Sequence, residues 1–280
     1  MVSNNSSMIN QIHIEGSILC NGHCQFCPHN QIKRREYLPF ALFKKIVDQG
    51  IDLGCSNFCP FRVNEPLLFP DLFLWLDYIK SKGGTVDLFT NGSLLDNITS
   101  KRLIEYSSTI NEIVFSFHGG TKATYERTMS FSYDLVKDNI LNFISLKPPF
   151  KYSIFSLIED DFPLFLQTWQ NKGFTNIFSS RYLEWSGSIA NNKTLLNDKE
   201  NYKRDPCVRL TDQLDIMCNG LACLCCMDAH GKVLLGNIKD DNLIDIVNNP
   251  IRQYYIEKHL EGKSDELPLC KNCSMNFVRS

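Results

Sequence analysis

The feature that most constrains this chain is a set of three cysteines within eight residues, Cys20, Cys24 and Cys27, in a segment that ends Phe26-Cys27-Pro28. A short apolar run, Ile12 to Leu19, leads into it. Three thiolates hold three irons of a four-iron, four-sulfur cluster and leave the fourth iron open to a small molecule. Chance does not account for the spacing. At this cysteine content, three cysteines at fixed offsets arise roughly 0.02 times per chain of this length. The competing reading is a structural zinc site, which takes four ligands and would recruit His23 or His29.

The other cysteines are unevenly placed. Cys55 and Cys59 follow the triplet, and buried structural thiols are their expected role. None then occurs until Cys207, Cys218, Cys223, Cys225, Cys226, Cys270 and Cys273. Two metal-rich ends therefore flank a middle that is nearly free of cysteine, which points to two functional modules. The polar segment Met1 to Ser7 has no apolar core of a signal peptide. No run of 18 apolar residues marks a membrane span. Twelve cysteines without a secretion signal argue for metal binding in a reducing cytoplasm rather than a disulfide framework. A net charge of −2 gives no case for nucleic acid or an anionic membrane as partner. The one basic run, Lys33-Arg34-Arg35, reads as a solvated loop.

Residues 11–190 alternate between strand and helix patterns. Strands are expected at Ile12–Leu19, near 58–63, and at Thr85–Phe89, Ile110–Phe117, Tyr152–Leu157 and Phe174–Ser179. Helices are expected from Pro39 to about Gln49 and at Asp71–Lys80, Asp96–Tyr106, Asp134–Ile144 and Phe162–Asn171. Six units suit parallel strands with crossover helices. A full eight-unit barrel would consume about 250 residues. The expected fold is thus α/β, a partial (β/α)6 TIM-type barrel over residues 1–190. A polar linker at 191–206 and a small C-terminal iron-sulfur domain at 207–280 complete the chain. In such barrels the chemistry sits at the C-terminal ends of strands. Here those ends carry the cysteine triplet, Asn64-Glu65-Pro66, Asn91-Gly92, Ser116-Phe117-His118-Gly119, and Arg181 followed by Ser186-Gly187.

These motifs resemble the radical S-adenosylmethionine (SAM) family across residues 11–190. The family has the same cysteine spacing, often with an aromatic at the position of Phe26. It also has a glycine-glycine-glutamate-proline segment that binds the methionine amino group. Here that segment reads Val63-Asn64-Glu65-Pro66, with the glutamate and proline kept and both glycines replaced. The resemblance places Phe26, Asn64, Glu65, Pro66, Asn91 and Ser116 around SAM. Read by themselves, Glu65 caps the helix that follows it and Asn91-Gly92 is a turn.

The segment 207–280 resembles the twitch form of the SPASM domain. It shows Cys207, the run Cys223-Leu224-Cys225-Cys226, a Gly236-Asn237 turn, and a closing Cys270/Cys273 pair. The resemblance implies one auxiliary [4Fe-4S] cluster on Cys207, Cys225, Cys270 and Cys273. Cys226 competes with Cys225, because adjacent strand residues point to opposite faces. A zinc ribbon is the alternative reading. A second auxiliary cluster is not expected, since no further pair of cysteines follows Cys273.

The resemblance implies reductive cleavage of SAM at the first cluster. The resulting radical abstracts hydrogen from a carbon of a small-molecule substrate, and a flavodoxin or ferredoxin supplies electrons. Oxidation or epimerisation is the expected outcome. Cys218, Cys223 and Cys226 are the candidate hydrogen donors for epimerisation. A peptide-modifying maturase is the runner-up, set behind because only about ten residues precede strand one, too few for a leader-binding module. A non-catalytic zinc-binding α/β protein is the third reading.

Overall fold

The computed structural model describes residues 9–158, 160–179, 185–189, 202–271, 273, 275 and 277–279. Strands β1 (Gln11–Ile14), β2 (Asn57–Cys59), β3 (Thr85–Thr90), β4 (Ile110–Ser116), β5 (Lys151–Ser156) and β6 (Ile177–Ser179) lie side by side in chain order. Each is parallel to the next. Between them run helices α1 (Phe40–Asp52), α2 (Leu72–Ser81), α3 (Asn97–Ile104), α4 (Lys122–Met129), α5 (Tyr133–Ser145) and α6 (Phe162–Gln170). This is a partial, open barrel of the expected α/β class.

The helices form where an apolar stripe recurs at intervals of three and four. Helix α1 buries Phe43, Ile46, Val47 and Gly50, and α2 buries Leu72, Trp75, Leu76 and Ile79. The two stripes meet where the Phe43 ring stacks on Trp75, with centroids 3.9 Å apart. Side chains satisfy the first free amides of three helices. Asp96, Thr121 and Ser132 accept from the backbone nitrogens of Thr99, Thr124 and Leu135. Strand β3 buries alternate residues, Val86, Leu88 and Thr90, as a pleated strand against a core requires.

Several expectations shift. Strand β2 stops at Cys59 rather than near residue 63, and β6 starts at Ile177 rather than Phe174. Strand β1 stops at Ile14 rather than Leu19, so Ser17 to Leu19 belong to the cysteine loop. Helix α4 lies between the strand expected to end at Phe117 and the helix expected from Asp134, where no element is expected; it buries Tyr125, Thr128 and Met129 under an otherwise polar face. Arg181 and the linker residues 191–201 fall outside the described residues.

The chain then adds β7 (Tyr202–Arg204), α7 (Arg209–Asp212), β8 (Gln213–Ile216), β9 (Leu221–Cys223), β10 (Leu234–Asn237), α8 (Leu243–Val247), α9 (Pro250–Leu260) and β11 (Phe277–Arg279). Strand β8 lies parallel to β1 on the side away from β2, with Gln11 beside Gln213 and Ile14 beside Ile216. Strands β9 and β10 follow antiparallel. The result is one nine-stranded sheet with β10 and β6 at its edges. Strands β7 and β11 pair separately. The second cysteine-rich segment is thus hydrogen-bonded into the barrel sheet. Helix contacts reinforce the joint: Lys45 Nζ donates to the carbonyls of Ile238 and Asp241, and Gln49 Oε1 accepts from the Leu243 amide at 2.6 Å.

The Phe43–Trp75 stack makes a direct test of the α1–α2 joint. Phe43→Ala removes a fully buried ring and should cost about 3–5 kcal/mol in chemical denaturation. A loss under about 1 kcal/mol, the size of an average substitution, would show that the joint rests elsewhere.

Candidate active site

The strand ends open into one cavity of about 360 Å3. Its walls include Cys20, Cys24 and Cys27 from the loop after β1, Asn64 and Glu65 after β2, Asn91 after β3, and Ser116 and His118 at the end of β4. Four successive strands thus bring their polar ends together, although only the cysteines are close in sequence. The loop is fixed by backbone contacts. The Glu65 amide donates to the Leu19 carbonyl at 2.8 Å, and the Cys27 amide to the Cys24 carbonyl at 3.1 Å. The His29 ring meets the Ile18 carbonyl at 2.6 Å, and His29 does not border the cavity. Trp185 Nε1 donates to the Phe26 carbonyl, and the Phe26 ring packs edge-on against His118 at 4.8 Å. Burial pulls His118 down to about 3, so it stays neutral at physiological pH.

Glu65 is the most strongly held acidic group here. Its Oε1 accepts from Thr90 Oγ1 at 2.8 Å and from the Leu67 amide at 3.1 Å. Its Oε2 accepts from the Asn91 amide at 2.8 Å. Both readings of this residue are therefore present in the geometry: it caps the short turn at Pro66–Leu68, and it lines the cavity. A carboxylate offers about four acceptor positions, and three are filled, so one remains. Burial raises Glu65 to about 7 against the pull of these donors. A cationic ligand would offset that burial. Pro66 is buried behind Glu65 and does not border the cavity.

The second cysteine set separates by side. Cys207, Cys225, Cys270 and Cys273 line one small recess beside the cavity. The Cys207 amide donates to His259 Nδ1 at 3.3 Å, and the Cys273 amide to the Cys270 carbonyl at 2.9 Å. Cys226, next in sequence to Cys225, lines the main cavity instead. The structure does not bring Cys218 or Cys223 to either space. Cys218 is buried, with its amide on Glu15 Oε1, and Cys223 is buried against Arg62. Both are thereby removed from the set of candidate hydrogen donors. Cys55 and Cys59 are buried as well.

The donor sets fit iron-sulfur clusters. Soft thiolates are the ligands such clusters take. Burial pushes Cys20 up to about 11 and Cys27 up to about 12, so iron must displace the protons to bind. Among the described residues no three Cys, His, Asp or Glu side chains are grouped to hold one metal ion. A cluster does not require that grouping, because each thiolate binds a different iron.

Charged residues that the motifs gave no reason to select join the modules beneath the cavity. Arg62, fully buried after β2, donates from Nε to Asp215 Oδ1 at 3.1 Å and from Nη2 to the Asp228 carbonyl at 3.2 Å. Glu15 and Arg34 form a bidentate pair at 2.6 and 2.7 Å, and Arg34 Nη1 reaches the Ala229 carbonyl. Burial raises Asp215, but His13 and Arg62 outweigh it and hold this carboxyl below its ordinary range. His13, Arg62, Arg209 and Gln213 all border the cavity. Strand β1 carried a signal for one of them: Gln11 and His13 alternate with Ile12 and Ile14, the period of a strand with one polar face. A lone arginine between Phe61 and Val63 was a second signal, since a buried charge needs a partner.

The Radical SAM superfamily model matches residues 14–161, and that of the SPASM iron-sulfur cluster-binding domain matches residues 207–274. The chain belongs to the radical SAM superfamily. It is an oxidoreductase-type enzyme that uses SAM, a SAM-binding [4Fe-4S] cluster and an auxiliary iron-sulfur cluster. An S-adenosyl-L-methionine-dependent 2-deoxy-scyllo-inosamine dehydrogenase of Niallia circulans is 26% identical over 287 residues, spanning 98% of this chain and 96% of the relative. Among solved structures, BtrN in complex with AdoMet and 2-DOIA is 20% identical with a TM-score of 0.63, over 95% of this chain and 93% of that one. Streptococcus suis SuiB bound to precursor peptide SuiA is 16% identical with a TM-score of 0.74, over 89% and 67% of the two chains. Among the described residues no helix is long and apolar enough to cross a membrane.

Arg62 tests how the modules are joined. Arg62→Met leaves Asp215 buried without its guanidinium partner and should cost about 3–5 kcal/mol. The native pair stabilises the fold above the ordinary carboxylate range, and its contribution is lost as pH falls through the depressed pKa of Asp215. Acid unfolding of native and variant proteins should therefore converge at low pH. Parallel curves down to the acid limit would detach Asp215 from that transition.

Proposed function

We propose that this enzyme oxidises a hydroxyl-bearing small molecule of the aminocyclitol class to the corresponding ketone. The observation that carries this reading is the single cavity between the two cysteine sets. Cys20, Cys24 and Cys27 border one part of it, and Arg209, Cys226 and Met227 of the second module border another. Its volume is in the range of small-molecule sites. Arg62, Asn64, His118 and Gln213 bring polar side chains to its wall, the kind of lining a polyhydroxylated ring needs. The similarity to a dehydrogenase of 2-deoxy-scyllo-inosamine across nearly both full lengths supports the same class of substrate.

In this reading Cys20, Cys24 and Cys27 hold the SAM-binding cluster, and Cys207, Cys225, Cys270 and Cys273 hold the auxiliary one. When bound, these groups would supply the radical chemistry, taking one hydrogen atom from the carbinol carbon and then one electron, while the hydroxyl proton would go to solvent. The chain itself positions and shields. Glu65 takes the methionine ammonium at its remaining acceptor position, while Asn64, Asn91, Ser116 and Phe26 surround the rest of SAM, with Pro66 fixing the turn behind Glu65. The stacked pairs Phe61–Phe89 and Phe155–Phe178 line the cavity and keep water from the reacting carbon. A flavodoxin or ferredoxin of the cytoplasm serves as electron donor. Residues 1–190 carry the SAM chemistry and 207–280 the auxiliary site, with 191–206 between them.

One observation favours a second reading: Cys226 places a thiol in the cavity, as an epimerase requires. Turnover of 2-deoxy-scyllo-inosamine in heavy water separates the two. Dehydrogenation yields product two hydrogens lighter than substrate with no deuterium at the reacting carbon, and Cys226→Ala should still make it. Uptake of one deuterium, lost in Cys226→Ala, would replace oxidation by epimerisation.

Glu65 gives a pH test of SAM binding. Its raised pKa means that the charged form appears as pH rises through about 7. SAM affinity should rise over that range in the native protein and stay flat in Glu65→Gln. Above it the variant should lose about 1.5–3 kcal/mol, the worth of a charge-assisted hydrogen bond. The sign for folding is opposite: without ligand, stability falls as pH climbs from the ordinary carboxylate value of 4.5 to about 7 and is level above it, and SAM restores it. Equal affinities and equal pH profiles would leave Glu65 as a turn cap alone.

A further inference from the structure

Arg209 opens helix α7, two residues after Cys207. Its side chain borders both the main cavity and the recess formed by Cys207, Cys225, Cys270 and Cys273. Met227 and Met275 share that position, but neither carries charge. Its guanidinium stands within electrostatic reach of Cys226, Cys207, Cys225 and Cys273. Among the described residues no carboxylate forms an ion pair with it. A fixed positive charge therefore stands in the wall between the substrate space and the four thiols.

A thiolate-held cluster is an anion, and reduction adds one more negative charge. A cation beside it, in surroundings less polar than water, stabilises the reduced form more than the oxidised one. Charge and hydrogen bonding near the sulfurs are what move such potentials. We propose that Arg209 sets the reduction potential of the cluster held by Cys207, Cys225, Cys270 and Cys273. It raises that potential so that an electron released in the cavity is captured there. The electron count is simple: the substrate radical loses one electron and the cluster gains one, while the proton leaves to solvent. Arg209 acts through the cluster, so it is a positioning residue rather than a catalytic one. This role rests on the assignment of an auxiliary cluster to these four cysteines.

The test is an anaerobic redox titration followed by electron paramagnetic resonance. It uses the full-length chain with Cys20, Cys24 and Cys27 changed to alanine, so that the auxiliary cluster alone reports. Arg209→Gln should lower the reduction equilibrium about tenfold, about 59 mV for one electron, with iron content unchanged. Arg209→Lys keeps the charge and should stay near the native value. Equal potentials in the native and glutamine forms would overturn the proposal. So would a lysine form that falls as far as the glutamine form, because shape rather than charge would then be the cause. If the glutamine form cannot hold iron, the lysine form against the native protein still decides, since a fall of that full size overturns it. Absence of auxiliary iron from the native chain, or iron retained after Cys270→Ala with Cys273→Ala, would sink the ligand assignment and this proposal with it. Failure to turn over an aminocyclitol would sink only the substrate reading and leave the measured potentials standing.

Discussion

The structure depends on strand β1 being paired on both sides. It bonds to β2 through Gln11–His13 and to β8 through Gln11–Ile14, both in parallel register. A strand in that position is committed at once to the barrel and to the second cysteine module. Its C-terminal end releases the loop that carries Cys20, Cys24 and Cys27, while Cys207 precedes β8, and β9 runs back antiparallel toward Cys225 and Cys226. Two metal-binding segments almost two hundred residues apart in sequence are therefore delivered to opposite ends of the same paired strands, and the cavity touches both Cys20 and Cys226. The buried pairs Glu15–Arg34 and Arg62–Asp215 lie across that junction. Each must be complete to be tolerated, because an unpartnered charge inside the protein is strongly disfavoured. They act as a register device: a slip of β8 against β1 would part Arg62 from Asp215 and take the Ala229 carbonyl from Arg34.

The local parts of this arrangement were legible in the sequence. Helices α1, α2 and α5 declare themselves through apolar residues at intervals of three and four, and the triplet through its fixed offsets. Each of these signals is contained within a dozen or so residues. Helix α4 was not legible, because its buried face is only Tyr125, Thr128 and Met129 and the rest of it is polar. The pairing of β8 with β1 was not legible either. Nothing in Gln213–Ile216 specifies a partner two hundred residues away; burial of Leu214 and Asp215 selects it only once the chain is folded. The same distinction runs through the site. Alternation along a strand says that Cys225 and Cys226 face opposite ways, but not which one faces the other cysteines. Three-dimensional packing places Cys225 in the recess and Cys226 on the cavity.

That division between two neighbouring thiols shapes the chemistry open to the enzyme. A carbon radical reacts with whatever weak bond it meets, and an S–H bond is weak. Among the described residues Cys226 is the one spare cysteine that borders the cavity, since Cys55, Cys59, Cys218 and Cys223 are buried elsewhere. The cavity therefore holds two possible exits for the same intermediate: a hydrogen atom from Cys226, or an electron to the group beside Arg209. Proximity alone does not choose, because an electron crosses a gap that a hydrogen atom cannot. Contact is needed for the first route and a sufficient driving force for the second. Burial drives the Cys226 thiol up to about 12, so it remains S–H and chemically able to donate. Whether the substrate is oxidised or inverted then rests on how the polar floor of the cavity, Arg62, His13 and Gln213, orients the ring. Turning the reacting carbon toward Cys226 favours return of a hydrogen. Turning it toward the Arg209 wall leaves electron loss as the available path.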